Sequence, residues 1–173
     1  MTRPTPGETG ARRDSATTQR VGSTPPLAGE RELRQATELL FFAYRDFTGD
    51  ADRLLLRYGF GRAHHRVIYF VGRNPGITVG DLLAILKITK QSLARVLGEL
   101  RRGGFIVQRA DAADRRRRRL YLSDEAIAME RMLSEAQAGR LQTALQAAGP
   151  DAADGFRAVL QAMIDPEDRR RFE

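Results

Sequence analysis

The 173-residue chain contains no cysteine. That absence excludes a disulfide framework, a thiolate metal site and a thiol redox switch, so any sensing must use other chemistry. No apolar run approaches the roughly 20 residues that span a bilayer, and no apolar stretch of the secretory kind stands near the N-terminus. We therefore expect a cytoplasmic protein with no membrane partner. Only two histidines are present, the adjacent His64 and His65. Neighbours on a helix point about 100° apart, so the pair cannot share a metal without further ligands. Ordinary packing is expected of both, with no metal site and no cofactor. There is no nucleophile motif, no phosphate loop and no carboxylate pair beside a histidine, so an enzyme is not expected.

What the chain does have is basic charge in one place. The formal net charge is +7. Between Lys87 and Arg119 eleven Lys and Arg face three Asp and Glu, a net of +8; the remainder, eighteen basic and nineteen acidic, carries −1. A solvated surface usually mixes both signs. An excess confined to one segment is the footprint expected for a polyanion partner.

With 42% hydrophobic residues, the length suits one globular domain, or a small domain with a helical appendage. Residues 1–29 are rich in Pro, Gly, Thr and Ser and poor in large apolar side chains, so a disordered tail is expected. From Glu30 to Phe47 apolar residues recur at three- and four-residue spacing, which predicts an amphipathic helix. Thr48 and Gly49 suggest a break, and Asp50 can cap a second short turn carrying Leu54, Leu55 and Leu56. Three adjacent leucines cover more than one face, so part of this segment should pack outside its own domain. Arg62 to Val71 reads as a second helix, stopped by Gly72 and the Asn74-Pro75-Gly76 turn, with an apolar second half that predicts near-complete burial.

Thr78, with Asp81 three residues on, opens a short helix over Val79 to Leu86. Thr89 is the next N-cap. The helix after it carries Leu93, Val96, Leu97 and Leu100 on one stripe and ends at Gly103-Gly104. Its opposite face holds Lys90, Gln91, Ser92, Ala94 and Arg95. Two short helices joined by a tight turn, the second basic on its free face, fit a helix-turn-helix. Phe105 to Arg109 and about Arg118 to Leu122 then read as two short strands, with Leu120 and Leu122 inward. Five consecutive arginines, Arg115 to Arg119, fall in and after the loop between them. Ser123 caps a long helix to Ala148 with apolar positions including Ile127, Met129, Met132, Leu133 and Leu141. Gly149-Pro150 ends it, and a final helix over about Asp151 to Ile164 should bury Phe156, Val159, Leu160 and Met163. The fold class is mainly α with a small β-hairpin: a winged helix-turn-helix in which the hairpin is the wing, plus N- and C-terminal dimerisation helices. The expected division is a tail over 1–29, N-terminal dimerisation helices over 30–60, the DNA-binding unit over 61–123 and C-terminal dimerisation helices over 124–173.

The stretch "ITVGDLLAILKITKQSLARVLGELRRGGFIVQRADAADRRRRRLYLS" resembles the MarR family of bacterial transcriptional regulators. Asp114 and Arg116 match that family's Asp-x-Arg pair in the wing, and Leu122-Ser123 its closing Leu-Ser/Thr. "GFGRAHHRVIYFVGRNPGITV" with "ITKQSLARVL" is most similar to the PetP-type branch. One departure is Ala126, where the family commonly has glycine, which bears on how the chain enters the long helix.

The residues and the resemblance together imply a sequence-specific regulator that binds double-stranded DNA at a palindromic operator as a homodimer. Lys90, Gln91, Ser92 and Arg95 are placed to meet the major groove, where Gln can read adenine and Arg guanine; Thr89 caps the helix and can meet a phosphate. Arg116 is the first candidate for a narrow minor groove. Arg115, Arg117 and Arg118, with Arg119, cannot all face the groove, because strand residues alternate sides. Some are expected to contact phosphates, and any single one could equally be solvated. The resemblance gives Asp114 the role of a brace for an arginine. Leu33, Leu39, Leu40 and Phe41 with Phe156, Val159, Leu160 and Met163 have too few partners in a small winged domain, so a dimer interface is expected, as in the family. The resemblance also implies a small-molecule effector in the cleft between dimerisation and DNA-binding parts, and a nucleoid-associated place in the cytoplasm. The alternative is a nucleoid-type or protein- or RNA-binding winged helix without a defined operator.

Overall fold

The computed structural model describes residues 29–111, 114 and 117–172. The tail expected over 1–29 lies outside them except for its last residue, and so do Arg115 and Arg116 of the wing.

Helix α1 runs unbroken over Glu30–Leu56, without the expected break at Thr48 and Gly49. The Thr48 hydroxyl donates back to the Tyr44 carbonyl at 2.9 Å, so it is satisfied inside the helix instead of opening a new one. Thr48, Ala51 and Leu55 are buried, and this tertiary packing outweighs the low helix propensity of Gly49. Asp50 caps nothing and pairs with Arg53 and with Arg140. Of the three leucines, Leu55 is in the core, Leu54 packs on it and Leu56 faces out.

Helix α2 spans Arg62–Arg73 and passes through Gly72. Gly72 serves close packing: a Cβ there would lie 3.1 Å from Leu122 Cδ1 and 3.3 Å from Glu130 Cγ. Asn74 ends the helix, its backbone and side-chain N–H groups both donating to the Phe70 carbonyl. Burial is less complete than expected: Val67, Ile68 and Val71 are buried, whereas Tyr69 and Phe70 are half-buried. The turn leads into β1, Ile77–Thr78, a strand too short to be read from the sequence. Helix α3, Val79–Leu86, begins at Thr78, whose hydroxyl accepts from the Asp81 amide while the Asp81 carboxylate returns to Thr78. Helix α4, Lys90–Arg102, begins at Thr89 and ends where Gly104 takes φ 78°.

Strands β2, Ile106–Ala110, and β3, Arg118–Leu122, form the wing, and β1 joins the other edge of β3 in antiparallel order β1-β3-β2. Ile77 pairs with Leu120, and Gln108 faces Leu120 from the opposite side. Leu120 is thus central and fully buried. Helix α5, Asp124–Ala148, begins at Ser123, which accepts from the Ala126 amide at 3.3 Å; Ala126 is itself buried, so alanine fits the position with no glycine needed. Helices α6, Pro150–Met163, and α7, Pro166–Arg169, complete the chain. Helix α6 packs on α5 and buries none of Phe156, Val159, Leu160 or Met163 within this chain. On α5, Met129 and Leu133 are buried while Ile127, Met132 and Leu141 are exposed.

One core joins the C-terminal half of α1 to α2, α3, α4, the sheet and the first half of α5. His65 sits in it, and burial pushes its imidazole below the ordinary 6.5 against the opposing pull of Asp52 and Glu130. The unfolded chain therefore binds a proton at a higher pH than the folded one, so stability falls as pH drops from 6.5 toward the folded value. We expect the urea midpoint to fall between pH 7.5 and 5.5, and His65→Leu to flatten that slope. Equal slopes in both proteins would assign the pH dependence to other groups.

Candidate nucleic-acid interface

The helix pair α3–α4 is fixed from beneath. Leu93, Val96, Leu97 and Leu100 are all buried against the core, so the opposite side of α4 must face outward. Gln91, Ala94 and Arg95 are exposed on it, with Ser92 beside them, and Lys90 is exposed at the first position of the helix. At its start the Thr89 hydroxyl accepts from the Ser92 amide at 3.1 Å and donates to the Ser92 hydroxyl at 2.8 Å. The cap therefore uses the Thr89 hydroxyl as both acceptor and donor, while the Ser92 hydroxyl keeps its proton to donate, and the first-turn amides and the positive end of the helix dipole favour an anion at this end.

The turn before α4 carries Lys87 in the left-handed region, φ 49°, the one such non-glycine among the described residues. Its ammonium lies 3.2 Å from Asp165, 2.7 Å from Glu167 and 2.9 Å from Asp168, and hydrogen bonds to these carboxylates, that of Glu167 foremost, raise its pKa. The C-terminal segment thus meets the helix-turn-helix at its turn.

Arg95 is exposed, yet its Nη1 donates to Glu99 Oε1 at 3.0 Å, one turn along α4. The other Glu99 oxygen is 2.6 Å from His64 Nε2. Hydrogen bonds from His64 and then Arg95 hold the Glu99 carboxyl below its ordinary value.

The wing is held by side chains. Arg119 Nε donates to Asp111 Oδ2 at 2.5 Å, and Nη1 donates to the Gly76 carbonyl at 3.1 Å, which ties β3 to the turn before β1. Asp111 is buried. Its amide donates to the Arg117 carbonyl, and the Arg117 amide to the Asp114 carbonyl, closing the described part of the loop. Asp114 lies 3.6 Å from Arg117 Nε. Arg118 is exposed, and the Arg109 guanidinium stacks over the Tyr121 ring at 5.0 Å. Arg119 is accordingly an internal tie, a role its place in an arginine run does not reveal. The i, i+4 spacing of Arg95 and Glu99 was visible in the sequence; the pairing of Glu99 with His64, and of Lys87 with the C-terminus, was not.

The expected interface residues fall into two exposed apolar groups, Leu33, Leu39, Leu40 and Phe41 on α1, and Phe156, Val159, Leu160 and Met163 on α6. Phe41 is 65% exposed and Val159 58%.

The MarR family model matches residues 58–117, from just after α1 to the residue before β3. The HTH-type transcriptional regulator PetP of Rhodobacter capsulatus is 47% identical over 152 residues, which span 88% of this chain and 92% of that protein. Among solved structures, that of a MarR family transcription regulator superposes with a TM-score of 0.67 at 22% identity, covering 77% of this chain and 88% of the other. The Staphylococcus aureus MepR–DNA complex gives a TM-score of 0.62 at 19% identity, covering 73% and 94%. At those identities the structures show a shared fold.

The ties of Arg119 yield a prediction for the wing. Arg119→Ala deletes two hydrogen bonds, one to a buried carboxylate, and should cost about 1–3 kcal/mol locally. Trypsin should then cut the arginine-rich loop several-fold faster, with the urea midpoint of the helical core little changed. Cleavage at the parental rate would mean that the wing does not depend on this residue.

Proposed function

The chain belongs to the MarR family of transcriptional regulators, and from that premise we propose that it binds a palindromic operator as a homodimer, with α4 in the major groove and the wing in the minor groove. The observation that carries this reading is the exposed polar face of α4, Lys90, Gln91, Ser92 and Arg95, set rigidly above a buried leucine and valine stripe. Gln91 and Arg95 are the base readers, for adenine and guanine edges respectively. Lys90 meets a backbone phosphate beside the helix N-terminus, and Thr89 meets another where its hydroxyl turns from Ser92 to the phosphate. In the wing, Arg116 enters the minor groove, Arg115, Arg117 and Arg118 clamp phosphates, and Asp114 steadies its neighbours.

Half-sites recur about 34 Å apart along one face of a duplex, and a two-fold dimer meets that spacing. Residues 30–46 of α1 are all exposed in the single chain. A helix without tertiary support is marginal in water, and the apolar side chains of α1 and α6 offer a second copy the cover that each chain lacks. On this reading the chain divides into a tail, N-terminal dimerisation helices, a winged unit and C-terminal dimerisation helices. The cleft between α1, α2 and α5, lined by Phe47, Tyr69, Arg73, Glu130 and Leu141, is the place for a small effector. The function is binding without catalysis, in the cytoplasm at the nucleoid; no described helix is long and apolar enough to cross a membrane.

Selection from a random duplex library, followed by footprinting upstream of the protein's own gene, should return a palindromic site bound at least about 1,000-fold more tightly than random DNA. Similar affinities for both would favour a nucleoid-type binder. Arg116→Ala should weaken binding to that site while sedimentation still gives a dimer, and Gln91→Ala should relax preference at one base pair in each half-site. A stable monomer at micromolar concentration would overturn the dimer.

A further inference from the structure

Among the polar side chains on the outer face of α4, Arg95 has a line of contacts back into the core. Its Nη1 is held by Glu99 Oε1 at 3.0 Å, and Glu99 Oε2 is held by His64 Nε2 at 2.6 Å. His64 belongs to α2 and is buried. The Gly61 amide donates to His64 Nδ1 at 3.1 Å, which leaves the ring proton on Nε2, where it is donated to Glu99. The ring stacks on Phe60 with centroids 4.7 Å apart, and Phe60 packs edge-on against Phe105 at 5.0 Å. Each member of this line is therefore fixed by the one beneath it.

We infer that Glu99 and His64 are positioning residues that set the guanidinium of Arg95 for base reading. The inference rests on the reading of Arg95 as a base contact. A free arginine loses much rotamer freedom when it is ordered against a base edge, and a carboxylate that already holds one nitrogen removes part of that loss before binding. Glu99 engages Nη1 and leaves the rest of the planar donor fork for a bidentate contact with guanine O6 and N7. Glu99 also brings a negative charge close to a polyanion. That charge works against indiscriminate binding, so the brace should raise preference for the right base while lowering affinity for random DNA. A residue with a merely structural role would change both affinities in the same direction.

The test uses the full-length protein, the duplex selected by the parent protein, single-base-pair variants of that duplex, and a random duplex of equal length. Arg95→Ala should relax preference at one base pair in each half-site by about tenfold or more. Glu99→Gln, which keeps shape, loses the charge and can accept from only one of Arg95 and His64, should relax preference at that same base pair by about tenfold, without weakening binding to the random duplex and with the protein still folded at the assay temperature. His64→Phe, which keeps the stack on Phe60 and removes the donor, should follow Glu99→Gln; His64→Gln, which keeps a donor, should lose less. If Arg95→Ala relaxes the preference and Glu99→Gln does not, the brace is wrong and the reading of Arg95 stands. Should Arg95→Ala leave every base preference intact, the reading and the brace fall together. Equal losses toward selected and random duplexes in Glu99→Gln would also overturn the brace.

Discussion

Four side chains beneath one helix determine what this protein can present to a duplex. Helix α4 has thirteen residues, too few to stay helical alone in water. It is held by Leu93, Val96, Leu97 and Leu100, and full burial of such a side chain contributes about 1.5–3 kcal/mol. The 3.6-residue period then leaves no freedom on the other side: once these four point inward, Gln91, Ala94 and Arg95 point outward. The packing of the core and the choice of residues exposed on α4 are the same constraint seen from two sides. Gly104, in the left-handed region, stops the helix and lets the chain turn directly into β2, so the wing stands beside the helix that it accompanies.

The wing follows a different logic. A loop of alanines, aspartates and arginines has no apolar face to bury, so its shape depends on hydrogen bonds and ion pairs. Asp111 is the anchor, buried and held by Arg119, which also reaches the Gly76 carbonyl. An exposed ion pair would contribute little. This one is anchored by a buried carboxylate, and its arginine also reaches the turn before β1, so it fixes the root of the loop. The arginine run is thereby divided by geometry: Arg119 is spent internally, Arg117 lies beside Asp114, and Arg118 is exposed.

The parts legible in the sequence were those set by neighbours within one turn. Thr78, Thr89 and Ser123 announce their helices because a cap bonds to an amide two or three residues away. The stripe on α4 was legible for the same reason of period. Thr48-Gly49 misled because local cues for a break were outweighed by the burial of Ala51 and Leu55 against distant residues. Strand β1, two residues long, carries no alternation to detect and exists because β3 lies beside it. His64 and Glu99 are 35 positions apart and Lys87 and Glu167 80 apart, so no spacing rule connects them. The exposed residues of α4 follow from a local pattern, whereas the contacts that hold them in place come from the tertiary fold.

The same distinction bears on the ends of the chain. Residues 30–46 of α1 and all of α6 contribute nothing to the buried core, although both carry large apolar side chains. A helix exposed along its length cannot be stabilised by propensity alone, so α1 needs cover that its own chain does not supply. In the proposed dimer that cover comes from a second copy, and α1 passes from that interface without interruption into the shared core through Thr48, Ala51 and Leu55. A continuous helix transmits a rotation at one end to the other, which a broken helix would absorb. In the proposed dimer, the unbroken path of α1 through Thr48 and Gly49 links the interface between copies to the core that carries α4, so the separation of the two α4 helices depends on the exposed apolar residues of α1.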